Sequence, residues 1–418
     1  MAATATQRTV EAVWRIESPR LIAGLARVVR DVGLAEDVAQ DALVVALETW
    51  PRSGVPDNPG AWLMATAKHR AIDTLRRGAT LDRKREQIAR ELESVAEPDL
   101  DAELDDDIGD DLLRLVFTAC HPVLPTEGRI ALVLRLLGGL TTGELARAFL
   151  VSETTVAQRI TRAKRTLAEA GVPFEAPAGE ERVERLSSVL EVVYLIFNEG
   201  YSATTGDDWM RVELCEDALR LGRVLAEILP GEGEVHGLVA LMEIQQSRAR
   251  ARVGAGGEPV LLSDQDRARW DRLLIARGLA ALARAVELGP LGPYSLQAAI
   301  AACHARAAST EATDWVQIAR LYGALAEAAP SPVVELNRAV AVSMADGPQA
   351  GLAAVDALAG EPALRGYHLL PAVRGDMLER LGRGEEARKE FARAAALTRN
   401  ERERALLLAR TRPSGQAP

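Results

Sequence analysis

The stretch LTTGELARAFLVSETTVAQRITRAKRTL, Leu140–Leu167, decides how this chain is read. Its apolar residues recur at helical spacing in two short runs separated by a break. In the first run, Thr142–Phe149, the residues Leu145, Ala146 and Phe149 share one face. Leu150 and Val151 make a tight turn. Ser152 then suits an N-cap, because its hydroxyl can accept from an orphan N–H of the following turn. A second helix starts at Glu153, with Val156 and Ile160 four apart on its inner face. Thr154, Thr155, Gln158, Arg159 and Arg162 are left outward, followed by Lys164 and Arg165. Two helices joined in this way, with a polar and basic outer face on the second, have the geometry of a helix-turn-helix that enters the DNA major groove. Gln and Arg on that face can read adenine and guanine edges, while Arg162, Lys164 and Arg165 suit phosphates. A plain helical hairpin would not need the cap, the turn and the basic helix together.

The remainder is equally helical in character. Of 418 residues only 4% are aromatic, while Ala, Leu, Arg and Glu dominate, so the fold class expected is all-α. The length suggests about two to four domains. Three cysteines (Cys120, Cys215, Cys303) without a CxxC pair exclude a disulfide scaffold and point to a reducing cytoplasm. Met1–Val13 lacks the pattern of a signal peptide, and the best apolar run, Val189–Phe197, falls far short of the roughly 18 residues a membrane span needs. No G-x-x-x-x-G-K-[ST], H-E-x-x-H or G-x-S-x-G occurs, and His is scarce, so no enzyme and no cofactor is expected. The adjacent pairs Cys120-His121 and Cys303-His304 diverge by about 100° on a helix and lack a clustered third ligand, which argues against a metal.

The net charge of −10 hides a blocked arrangement. Asp31–Glu48 holds five acids and no base, and Lys68–Arg90 holds eight bases against three acids. Glu91–Asp111 holds eleven acids and no base, and Glu153–Arg165 holds four bases and one acid. Alternating blocks let separate patches meet different partners, where the total suggests only an acidic protein.

Four segments follow. Residues 8–77 read as a compact helical unit, with a Pro/Gly-rich turn at Pro51–Gly60 before its last helix. Residues 78–111 read as a charged linker, its acidic end too polar to pack. Residues 112–171 hold the helix-turn-helix. After a Pro/Gly/Glu-rich joint at Val172–Glu181, residues 182–410 form a long helical segment ending in a short tail. Within it, Gly375, Ala387, Phe391 and Ala394 fall at tetratricopeptide-like spacing, with Gly382-Arg383-Gly384 as the turn. Ala339, Gly351, Val355 and Leu358 repeat that spacing, and Tyr322 with Pro330 suggests a third copy. Tyr322, Val355 and Phe391 are 33 and 36 residues apart, near the period of stacked helix pairs. Asn198, Glu199 and Tyr201 follow a very apolar run. They suit either a polar interface or a helix C-cap with Gly200 in the left-handed conformation.

Residues 11–77 and 112–170 together resemble the two domains of an alternative sigma factor of the extracytoplasmic-function class. GLAEDVAQDALVVALETW, Gly33–Trp50, is similar to the helix that such factors press against the clamp helices of RNA polymerase. NPGAWLMATAKHRAIDTLRR, Asn58–Arg77, is similar to the helix after their promoter-melting loop. FTACHP at Phe117–Pro122, LIFNEGY at Leu195–Tyr201 and the repeat-like segment resemble a subgroup with a long C-terminal extension, which implies that the extension replaces a separate anti-sigma protein. The resemblance implies promoter-specific initiation with core RNA polymerase and promoter DNA as partners, and no membrane. It implies polymerase docking through Asp37, Gln40 and Asp41. Capturing an unstacked base needs a shaped loop beside a basic helix. Pro51–Pro59 with Asn58 is that loop, and Lys68, His69, Arg70, Arg76 and Arg77 are the candidate strand contacts. The competing reading is a one-component helix-turn-helix regulator with a helical-repeat scaffold. Such proteins generally dimerise, and no dimerisation helix is evident.

Overall fold

The computed structural model describes residues 5–78, 100–202, 210–254 and 258–411, and among these it contains helices and no strand. No helix of the described residues is long and apolar enough to cross a membrane. The chain divides into two compact units, Met1–Leu195 and Ile196–Pro418.

The first unit begins with α1 (Ala5–Val29), α2 (Val32–Ser53) and α3 (Pro59–Gly78). Asp31 caps α2 by accepting from the Leu34 amide at 2.9 Å, and Gly54, with φ +85°, ends it. The three helices pack on one another around Ile22, Leu25, Ala39, Trp50 and Leu63, all almost fully buried. Trp62 is half-buried and meets Trp50 edge to face, with ring centroids 5.3 Å apart.

Four helices follow: α4 (Leu100–Ala119), α5 (Thr126–Leu136), α6 (Thr142–Phe149) and α7 (Glu153–Glu169). The acidic run expected to be a spacer is helical from Leu100 onward, continuous with the apolar half of α4. Asp111 at its end is buried, pairing with Arg27 of α1 at 3.0 Å and Arg114 at 2.6 Å. That pairing satisfies a carboxylate which composition alone assigned to water. Residues 79–99 of the expected linker and the tail from 412 lie outside the described residues.

The next helix, α8 (Gly179–Tyr201), starts in the first unit. Arg185 donates to the Phe117 carbonyl at 2.8 Å and lies over the Phe117 ring, while the Ser188 hydroxyl donates to the Cys120 carbonyl at 2.9 Å. The two units therefore divide beyond the Pro/Gly joint, because the first turns of α8 are bonded to the end of α4.

The second unit continues with α9 (Val212–Ile228), α10 (Gly233–Gln246), α11 (Arg272–Leu288) and α12 (Pro293–Arg306). Then come α13 (Trp315–Ala328), α14 (Pro332–Asp346), α15 (Pro348–Ala357), α16 (Leu369–Arg380), α17 (Gly384–Leu397) and α18 (Glu401–Ala409). Helix α10 is buried nearly all round, and from α12 onward each helix packs on its neighbour in chain order. The small–large spacing read from the sequence has a physical basis. A Cβ on Gly375 would lie 2.8 Å from the Phe391 ring, so the ring seats directly on the α16 backbone. Ala339, Val355, Ala387, Phe391 and Ala394 share one core, whereas Tyr322 packs in a separate cluster with Ile318 and Leu325.

Candidate nucleic-acid interface

The helix-turn-helix is fixed by three local devices. Thr141 caps α6 in a full capping box: its hydroxyl accepts from the Glu144 amide, and the Glu144 carboxylate accepts from the Thr141 amide at 2.8 Å. Leu150 adopts the left-handed conformation (φ 51°) that turns the chain, and Ser152 accepts from the Thr155 amide at 3.1 Å to start α7. Val156, Ile160, Ala163 and Leu167 are buried on the inner face of α7.

The outer face of α7 presents Thr154, Gln158, Arg162 and Arg165 to solvent. Arg159 is half-buried beside them. Thr155 is drawn into the cap, its hydroxyl 2.8 Å from that of Ser152. Lys164 is placed differently. Its ammonium lies 2.5 Å from Glu36 Oε2 and 3.1 Å from Asp37 Oδ1, both on α2, and its side chain is only 18% exposed.

Glu36 is the centre of this contact. It is almost fully buried, accepts from Arg135 Nε at 2.6 Å, and also accepts from the Gln40 amide nitrogen. Arg135 in turn donates to the Leu140 carbonyl at 3.0 Å, tying the loop before α6 to the same carboxylate. Of the expected docking residues, Asp37 and Gln40 therefore already have partners within the first unit, and Asp41 is exposed. A second link joins α1 to α6, where Arg15 pairs with Glu144 at 2.7 Å. Burial pushes the Glu144 carboxyl up, but the Thr141 amide, its hydroxyl and Arg15 outweigh it and hold the group below its ordinary value.

The candidate loop is shorter than the expected Pro51–Pro59, because α2 continues through Pro51 to Ser53 and α3 begins at Pro59. Asn58 is exposed, and its side-chain oxygen accepts from the Ala61 amide at 3.0 Å, so it caps α3. His69 and Arg70 are exposed and Lys68 is half-buried on the same helix. Arg76 and Arg77 lie on the last turn of α3, but their side chains lie outside the described residues. The structure thus gathers two sets of candidates, one on α3 and one on α7.

The Asn198–Tyr201 alternatives resolve into an interface. Gly200 is helical, and a Cβ there would lie 2.7 Å from the Cys215 amide nitrogen, so it permits close approach of the α9 backbone. Glu199 pairs with Arg211. Tyr201 receives Arg248 on its hydroxyl at 2.8 Å and Arg252 stacked 3.5 Å over its ring. Arg267 lies 4.8 Å over Trp270 and donates to the His304 and Ala307 carbonyls. Burial, helped by Arg248 and Arg267, pushes His304 down to about 4. Sequence reasoning missed this arginine–aromatic core because its members are scattered over more than a hundred residues. Burial likewise pushes the Cys120 thiol up to about 12, which makes it unreactive.

Comparison with known proteins adds family matches in the same order. Residues 14–80 match the model for sigma-70 region 2, residues 114–167 that for sigma-70 region 4, and residues 185–286 a family of unknown function, DUF6596. An uncharacterised protein of Rhizobium meliloti (strain 1021) is 47% identical over 395 residues, covering 93% of this chain and 92% of its own. A probable extracytoplasmic-function RNA polymerase sigma factor of Mycobacterium tuberculosis, SigI, is 26% identical over 174 residues. That match covers 42% of this chain and 59% of SigI. No solved structure matches.

Proposed function

Starting from the premise that this chain belongs to the sigma-70 family, as an extracytoplasmic-function-like alternative sigma factor with a C-terminal extension, we propose how its surfaces divide the work. The outer face of α7 reads duplex promoter DNA: Gln158 and Arg159 meet base edges, Thr154 and Thr155 flank them, and Arg162, Lys164 and Arg165 meet phosphates. The loop ending at Asn58, with Lys68, His69, Arg70, Arg76 and Arg77 of α3, handles the opened strand. Helix α2 meets core polymerase through Asp37, Gln40 and Asp41. The segment from α8 onward regulates these activities, either as an internal partner of the first unit or as a platform for a regulatory protein. The reading implies a cytoplasmic protein that performs no covalent chemistry.

The observation that carries this reading is the capped α6–α7 pair, whose second helix buries one apolar face and leaves Gln158, Arg162 and Arg165 in solvent. A structural hairpin has no need of that outer face. The docking assignment is tested by mixing the full chain with sigma-free bacterial core polymerase and following co-elution. Asp41→Lys should weaken the complex while circular dichroism stays helical. Undiminished co-elution of this variant would remove α2 from the docking role.

A further inference from the structure

We propose that the second unit holds a binding site for a phosphate-bearing small molecule, built by Arg248, Arg267 and Arg252 around Trp270 and Tyr201. This site belongs to the extension itself and does not depend on the roles assigned above. The arginines lie on the connection from Ser247 to Asp271, far longer than the four residues Gly289–Gly292 that join α11 to α12. A connection of that length in a packed domain is usually functional. Arg248 and Arg252 are only 9% and 8% exposed, and Arg267 is half-buried. Arg252 stacks 3.5 Å over the Tyr201 ring, and Arg267 lies 4.8 Å over that of Trp270. Arg248 stands between them, 5.9 Å from the first ring centroid and 5.8 Å from the second.

Negative charge is what this cluster lacks. A buried charge is ordinarily paired, because leaving water is costly without a counter-charge. Among the described residues, Arg248 donates to the Tyr201 hydroxyl and the Gln245 side-chain oxygen, both neutral. Arg267 donates to the His304 and Ala307 carbonyls and the Thr313 hydroxyl, neutral as well. Neighbouring acids are used elsewhere: Glu199 pairs with Arg211, and Asp266 and Asp271 accept from backbone amides. Burial and the Arg248 charge hold Arg267 below its ordinary pKa, a sign of uncompensated positive charge. Two buried donors in the cluster, Arg248 Nε and Trp270 Nε1, also have no acceptor among the described residues. A phosphoryl group would supply about 1.5–2 negative charges and three acceptor oxygens, and its geometry suits planar guanidinium forks. A lone carboxylate brings one charge and two oxygens, so it answers less of the deficit.

The experiment uses the full chain and inorganic phosphate, with chloride adjusted to hold ionic strength constant. Equilibrium dialysis with radiolabelled phosphate measures binding, and calorimetry follows the transition of the second unit. Phosphate should bind saturably, resist displacement by equal acetate, and raise that transition by mass action. Arg267→Gln removes one charge from a half-buried turn and should weaken binding by about tenfold or more. Arg248→Gln should do the same, and if it unfolds the unit the Arg267 variant still decides. Arg410→Gln is the control, because Arg410 also stacks on a ring, 4.1 Å over Phe391, but pairs with Asp376 and Glu379. It should bind phosphate as the parent does. Absence of saturable binding overturns the proposal, as does equal displacement by acetate, full affinity in Arg267→Gln or an equal loss in Arg410→Gln. Asp207 and Asp208 lie outside the described residues. If phosphate binds only after Asp207→Asn and Asp208→Asn, the chain's own acids fill the site and the proposal is likewise overturned.

Discussion

The Lys164 ammonium lies 3.1 Å from the Asp37 carboxylate, joining α7, for which promoter reading is proposed, to α2, for which polymerase docking is proposed. This pairing separates Lys164 from its neighbours on α7. Arg162 faces solvent and Arg165 makes only an exposed pair with Glu169 of its own helix at 3.5 Å, while Lys164 would have to leave α2 before meeting a phosphate.

Substitutions along α7 should divide accordingly. Arg159→Ala should cost about 1–3 kcal/mol at one promoter position and relax specificity there. Arg162→Ala should weaken all promoters alike and reduce the salt slope by about one. Transcription from a panel of single-base promoter variants, repeated across salt concentrations, separates the two. Equal transcription of every variant by both mutants would place recognition elsewhere.

The second unit should lose stability in weak acid. His304 is neutral in the fold, with its pKa lowered from 6.5 to about 4 by burial and by Arg248 and Arg267. The unfolded chain gains a proton near pH 6.5 that the folded chain refuses, so stability falls from about pH 6.5 down to about pH 4 and levels below that. The shift corresponds to about 3 kcal/mol at most. Urea unfolding at stepped pH should show this slope in the parent chain, and His304→Gln should flatten it. A slope that survives the substitution would place its origin in other groups.

Gly375→Ala should destabilise the second unit. The added methyl meets the Phe391 ring at 2.8 Å, and a ring seated in a packed core has little room to retreat. A cost of about 1–3 kcal/mol is expected from such overpacking, against about 3–5 kcal/mol for Phe391→Ala. Calorimetry on the full chain should show the transition of this unit shifted and that of the first unit unchanged.

Truncation should depend on where the cut falls. A chain ending at Gly171 loses Arg185 and Ser188, which bond the Phe117 and Cys120 carbonyls at the end of α4. A chain ending at Ser202 keeps them. The longer fragment should therefore melt cooperatively at higher temperature, and its activity against that of the full chain tests the regulatory role proposed for the extension. Equal melting of the two fragments would show that α8 adds nothing to the first unit.

The parts of this molecule legible in its sequence are those decided within a few residues. The helix-turn-helix could be read because Ser152, the Leu150 turn and the Val156–Ile160 spacing are local signals. The packing of Gly375 against Phe391 was legible as a spacing, since complementary sizes must recur wherever helix pairs stack. Asp111 was not legible: eleven acids without a base across Glu91–Asp111 suggest a solvated spacer, and only the arrival of Arg27 from α1, beside Arg114, makes burial tolerable. The partners of Lys164 were hidden for the same reason. Helical spacing placed it beside Arg165 on a basic face, but the carboxylates that hold it lie more than a hundred residues earlier. Gly200 offered two local readings, and its role was decided by the backbone of another helix.

The sigma-factor role stands or falls on initiation. Sigma-free bacterial core polymerase, the full chain and a pooled library of genomic DNA fragments should yield transcripts whose 5′ ends collect at a small set of positions sharing one upstream sequence. Gln158→Ala with Arg159→Ala should scatter or abolish those starts. A pattern of 5′ ends indistinguishable from that of core polymerase alone would contradict it.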